Sequence, residues 1–152
     1  GIKGNVTADG YKDHIGVMSV QFGVGRGISM EAGNMSNRES TRPSLSEVTI
    51  TKVADNSVTG IFKEAVTGSA GKKVVIKFVR TGADKVQEYM DYTLEDALVS
   101  GYSISASSEG EPVETISLSY SKIMINYKDF DKTNKSGNPQ RVGYDLTTAK
   151  PL

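Results

Sequence analysis

The chain has 152 residues, with 18 basic and 18 acidic side chains and a formal net charge of +0. That length suits one domain over residues 1–152 with a real core, burying roughly 70% of the unfolded surface. The charge balance offers no pull toward nucleic acid or anionic lipid, and little self-repulsion to oppose association. There is no cysteine, which excludes disulfides and thiol chemistry. No apolar run approaches the roughly 20 residues that span a membrane, so membrane insertion is not expected. Gly1-Ile2-Lys3-Gly4 has neither the charged nor the apolar region of a secretory leader, so no signal peptide is expected.

Most of the chain reads as strands. Ile15 to Val24 is apolar at 15 and 17, then at 18, 20, 22 and 24, a change of phase near Met18. Next comes "GRGISMEAGNMSNRESTRPS", Gly25 to Ser44, polar, Gly-rich and without periodicity. Structureless loops beyond about 15 residues are uncommon in compact domains and are usually functional or disordered. The segment therefore reads as an interaction arm or as disorder. As an arm, it offers Met30 and Met35 as adaptable apolar contacts. Glu31, Arg38, Glu39 and Arg42 would pair with charges on a partner. With Asn34, these residues are the candidate subunit or ring interface.

Val48 to Val53 predicts a short strand. "DNSVTGIFKEAVTG" predicts the one helix, with Val58, Ile61, Phe62, Ala65 and Val66 on a single apolar face. Asp55, Asn56 or Ser57 would cap its start and Gly68 would follow its end. Gly60 inside it costs up to about 1 kcal/mol relative to Ala. The helix should therefore depend on docking through Val58, Ile61, Phe62 and Val66. Strands are predicted at Val74 to Arg80, Val86 to Leu94 and Ala97 to Ile104, with "TGAD" as a turn after the first. "SSEGEP" is a loop, and Val142 to Leu146 a last short strand.

Between them lies "ETISLSYSKIMINYK", Glu114 to Lys128, apolar at 116, 118 and 120, then at 123, 125 and 127. Alternate side chains point to opposite faces of a strand, so this stretch changes face at Ser121-Lys122. A β-bulge adds one residue, bends the strand and reassigns its faces. Bulged strands suit closed or strongly coiled sheets. The expected fold is mainly β: a small curled β-barrel or two packed sheets, with one α-helix and a long extended loop. The other reading of the slip is that one apolar set faces another subunit. Both readings stay open on the sequence.

Catalytic chemistry is hard to find. His14 is the only histidine. With no cysteine, a zinc site is not expected. A serine triad would need His14, but no G-x-S-x-G elbow occurs, so His14 in "YKDHIG" reads as a surface or turn residue. "GVGRG" lacks the G-x-G-x-x-G spacing and a following helix, and "GSAGKK" follows a helix and lacks the Ser/Thr of a phosphate loop. Glu95 and Asp96 are adjacent on a predicted strand edge and point to opposite faces. No catalytic, cofactor-binding or metal-binding residues are assigned. Sequons occur at Asn5, Asn34 and Asn134. Strand faces rich in Ser and Thr (Thr115, Ser117, Ser119, Ser121) suit contact between subunits.

The order of these pieces resembles the Hcp family, the tube protein of the bacterial type VI secretion system. "GIKGNVTADGYKDHIGVMSVQFGVG" is similar to that family's opening. "RPSLSEVTITKVAD" and "SVTGIFKEAVTG" are similar to its strand and single helix. "VVIKFVRTGADKVQEYMDYTLEDALVSGYSIS" resembles its paired central strands, "EPVETISLSYSKIMINY" its most recognisable strand, and "VGYDLTTAK" its C-terminal strand. Each is only a strand pattern; their order and spacing carry the likeness. The sequence departs from the family pattern in opening inside the "IKG" turn, which in the family usually follows a short apolar strand, and in having no tryptophan in the first long strand.

The resemblance implies a non-enzymatic structural subunit of the secretion inner tube. It implies homohexameric rings that stack, a contractile sheath and a spike protein as partners, and small effector proteins carried in the lumen. It also implies assembly in the bacterial cytoplasm and export to the extracellular space or a target cell. No cofactor is implied. Two other readings are a monomeric β-barrel ligand-binding module and an enzyme using carboxylates alone.

Overall fold

The computed structural model describes residues 1–27, 42–68, 70–82, 86–128 and 137–152. In chain order the elements are β1 (Ser19–Gln21), β2 (Val24–Gly25), β3 (Ser44–Leu45), β4 (Val48–Val53), α1 (Val58–Thr67), β5 (Lys72–Thr81), β6 (Val86–Ser105), β7 (Val113–Ser119), β8 (Lys122–Tyr127), β9 (Gln140–Asp145) and β10 (Lys150–Pro151). Among the described residues the protein is mainly β with one helix, as its alternating pattern predicts. Two compact units divide it, Gly1–Gly68 with Val99–Ser119, and Ser69–Leu98 with Tyr120–Leu152.

In the first unit the strand order is β1-β4-β7, then the C-terminal part of β6. β4 and β7 are antiparallel, with Val48 opposite Leu118, Ile50 opposite Ile116 and Lys52 opposite Glu114. These six residues are all buried. Cross-strand neighbours on one face are the packing unit of a sheet, so the pairing places two apolar pairs and one ionic pair in a row. A one-residue slip of either strand would turn its half of the row outward.

The stretch before β1 is held by its own backbone. Gly4 N–H donates to Asp13 O (2.8 Å), Asp13 N–H to Val6 O (2.9 Å) and His14 N–H to Tyr11 O (3.0 Å). A Cβ on Gly4 would come within 2.6 Å of Ile15 Cα, so only glycine allows this close approach. The strand expected over 15–24 is shorter than its pattern: Met18 donates to Thr51 O, and β1 and β2 cover five residues between them. The phase change near Met18 falls where the chain joins β4.

β2 and β3 pair with Val24 opposite Leu45 and Gly25 opposite Ser44. Ser46 N–H donates to Gly23 O and Gly23 N–H to Ser46 Oγ, both at 2.9 Å. The two ends of the segment expected as an arm are thus clasped together.

The second unit orders its strands β5-β6-β8-β9-β10. Leu94 lies between Val74 of β5 and Ile123 of β8 in the ladder. Ile76, Leu94, Ala97, Tyr120 and Ile123 are its buried apolar residues. The two strands expected over 86–104 are one continuous 20-residue strand. Its irregularity is at Asp96, whose φ is +55°. There the register with β5 shifts, from Lys72 opposite Ala97 to Val74 opposite Leu94, so β6 carries the extra residue of a bulge. Gly71 makes room: a Cβ on it would lie 2.6 Å from Asp96 Cγ.

The phase slip at Ser121-Lys122 falls at the same level. The chain leaves β7 at Ser119 and enters β8 at Lys122. Ser121 donates to Glu95 O from its backbone N–H (3.0 Å) and its hydroxyl (3.3 Å). Tyr120 and Ile123 are both buried, so the apolar set does change parity here.

Candidate assembly surfaces

One cluster of charged side chains is wholly interior. Lys52 alternates in phase with Val48 and Ile50, and Glu114 with Ile116 and Leu118, so the strand period itself turns both charges inward. Both have side chains with 0% exposure. Lys52 Nζ donates to Glu114 Oε1 (2.5 Å), to Asp55 Oδ1 (3.1 Å) and to the carbonyl of Val53 (2.9 Å). An ammonium has three protons, and each finds an acceptor. Tyr102 of β6 donates its hydroxyl to Glu114 Oε2 (2.6 Å). Asp55 Oδ1 also accepts the N–H of Ser57 (2.8 Å) and its hydroxyl.

Burial drives the Asp55 carboxyl upward, but hydrogen bonds from the Ser57 hydroxyl and N–H and from Lys52, with the ammonium's charge, outweigh it. The carboxyl therefore sits below the ordinary aspartate value. Burial, the hydrogen bond to Glu114 and its charge push the Tyr102 phenol up to about 12. The cluster is saturated by its own members and leaves no acid or base for a substrate. It ties β4, β6 and β7 to the start of α1.

The helix is the predicted one. Ser57 sits at its N-cap in αR geometry without a side-chain cap, and Asp55 accepts in its place. Gly68 follows its end: its N–H donates to Glu64 O, and a Cβ there would crowd that carbonyl. The docking face differs from expectation. Ile61 is 6% exposed, but Phe62 is 54% and Val66 62% exposed. Phe62 instead stands edge-on to the Tyr102 ring, centroids 6.0 Å apart. The 3.6-residue period allows an apolar face wider than the surface that receives it, and the short helix seats only its centre. Gly60 lies under Ile2, whose Cγ2 would be 3.0 Å from a Cβ there.

Apolar residues are left outside in both units. Val17, Met18 and Val24 flank β1, while Phe62 and Val66 cover the outer side of α1. In the second unit Val75 and Val79 are exposed on β5, and Val142, Leu146 and Leu152 near the C-terminus. β5 pairs only β6, and β1 and β10 end their strand orders, so each presents an edge among the described residues. Unpaired edges are templates for pairing with another chain.

Of the candidate interface residues, Arg42 is exposed, two residues before β3. Met30, Glu31, Asn34, Met35, Arg38 and Glu39 lie outside the described residues. His14 is exposed, its ring edge-on to Tyr11 (5.6 Å), as its turn setting predicts. Glu95 lies 3.9 Å from Lys122, while Asp96 occupies the β6 bulge. Sequence reasoning missed the Lys52-Glu114 pair, although the signal was present. Both residues fall in the apolar phase of strands otherwise read correctly.

No curated protein is similar enough to match. Solved structures match over nearly the whole chain. A type six secretion system protein shares 25% identity and a TM-score of 0.91, covering 99% of this chain and 94% of its own. Hcp1 from Salmonella typhimurium shares 25% identity at a TM-score of 0.77, with 100% and 93% covered. A type VI secretion system effector from Yersinia pestis, at 19% identity and a TM-score of 0.74 with 95% and 94% covered, repeats the fold. The fold is thus that of the β-rich proteins of type VI secretion. Residues 1–127 match the family model described as type VI secretion system effector, Hcp, and the chain belongs to that family. The family is one of structural tube components, secreted by the type VI system.

Proposed function

We propose that this protein is the repeating subunit of a type VI secretion inner tube. One domain over residues 1–152 closes into homohexameric rings, and the rings stack and carry small effector proteins in their lumen. The observation that carries this reading is membership of the Hcp family together with a likeness of fold over nearly the whole chain. Open edges on β1, β5 and β10 and exposed apolar side chains near them supply what a ring of identical subunits needs: two different surfaces that meet head to tail. The clasp at β2 and β3 supports the reading of the Gly25 to Ser44 segment as an arm, because it fixes where both ends leave the sheet.

The tube is assembled in the cytoplasm, inside a contractile sheath and beneath a spike protein, and leaves the cell through the type VI apparatus. Its role is structural, and no catalytic step is assigned to it. Light scattering of the purified chain tests the central claim. Six copies of a 16.3 kDa chain give a particle of about 98 kDa. A particle at the mass of one chain at micromolar concentration would overturn the ring and favour a monomeric ligand-binding module.

A further inference from the structure

The saturated cluster in the first unit has a mechanical consequence. Among the residues of α1, Ile61 is the buried one. The helix is ten residues long, with no acidic side chain in its first turn and no basic one in its last. A helix that short is marginal on its own in water, so its stability comes from what it is docked to. Its start is held by Asp55, which gathers three donors: the Ser57 N–H, the Ser57 hydroxyl and the Lys52 ammonium. The strands beneath depend on other contacts. β4 and β7 share a six-pair ladder with two buried apolar pairs.

We propose that Asp55, Lys52, Glu114 and Tyr102 form an acid-sensitive latch, which holds the start of α1 on the sheet and releases the helix before the strands separate. Protonating Asp55 takes the charge from the carboxylate whose Oδ1 accepts all three donors and weakens each of those bonds, while the contact of Lys52 with Glu114 across β4 and β7 does not pass through Asp55. The groups facing Asp55 come from every element around it. Lys52 of β4 faces it directly, Glu114 of β7 faces that ammonium, and Tyr102 of β6 faces Glu114. From α1 it meets the backbone and hydroxyl of Ser57. Tyr102, pushed up to about 12, stays a donor throughout the acid range. The Asp55 carboxyl is held below its unfolded value. Its stabilising contribution is therefore complete above the ordinary aspartate range near pH 4, and is lost as pH falls through the folded value.

Isoleucine methyl signals of the full chain read the helix and the strands separately. Ile61 reports α1, Ile50 reports β4 and Ile116 reports β7. On titration from about pH 7 to pH 3, a window spanning the carboxylates, Ile61 is expected to change at a higher pH than Ile50 and Ile116. In Asp55→Asn the Ile61 signal sits near its acid position already at neutral pH, and the other two do not move. Ser57→Ala removes one donor and leaves the N–H, so its Ile61 midpoint should shift to higher pH. This milder variant decides the matter if Asp55→Asn does not fold. A single midpoint shared by all three methyls overturns the latch. So does an Ile61 midpoint unmoved by Ser57→Ala.

Discussion

At the scale of the residue, the informative pair is Lys52 and Glu114. Taking two charges out of water costs several kcal/mol per ion, which their attraction offsets only if every proton and lone pair is met. Here the ammonium meets three acceptors and both carboxylate oxygens of Glu114 are engaged. The pair has one clear benefit, register: it sits in the same row as Val48-Leu118 and Ile50-Ile116. A slipped ladder would bury one charge without the other. Removing a single member should therefore be far worse than removing both. Glu114→Ala leaves Lys52 buried with two of its three acceptors and is expected to cost about 3–5 kcal/mol. Lys52→Met with Glu114→Leu should recover most of that loss. Denaturant melts at equal protein concentration measure both. A double variant as unstable as the single would mean that the ion pair contributes net stability of its own.

At the scale of the element, the sequence was legible where one face is buried and the chain is regular. β4 runs over Val48–Val53 as its alternation predicts. The helix occupies Val58–Thr67. The parity change after Tyr120 marks a true irregularity, since Tyr120 and Ile123 are both buried on either side of it. What the pattern does not contain is the partner strand's part in that irregularity. The left-handed Asp96 and the space at Gly71 arise from tertiary pairing, and an aspartate in a strand reads the same whether or not it bulges.

The helix face was overread for a similar reason. Periodicity shows which residues share a side, not how many of them the sheet receives. Ile61 fills the seat, while Phe62 and Val66 stand half outside. Phe62→Ala should then cost less than about 1 kcal/mol in denaturant melts of the folded subunit, since most of its ring area stays in water either way. Ile61→Ala should cost about 2–5 kcal/mol, as for other buried aliphatic truncations. The reverse order would show that Phe62 and not Ile61 anchors the helix.

At the scale of the whole molecule, the segment from Gly25 to Ser44 is the one proposed as an assembly arm. Its apolar content is too low to drive burial alone, and its charges alternate in sign, which suits contacts that fix register and partner. The clasp of Gly25 opposite Ser44 anchors its base, and Arg42 is exposed beside it. If the arm reaches a neighbouring subunit or the next ring, Arg38→Glu with Arg42→Glu should leave each subunit folded and weaken stacking. One exposed ion pair is worth only about 0–1 kcal/mol. A ring repeats the contact in every subunit, however, and a tube repeats it at every junction, so small terms accumulate along the stack. Tube length by electron microscopy, followed against salt, reads the stacking, while circular dichroism reads the fold. Shorter, more salt-sensitive tubes with an unchanged spectrum are expected. Tubes of unchanged length and salt resistance in the double variant would place the stacking contact elsewhere, on the strand edges and not on the arm.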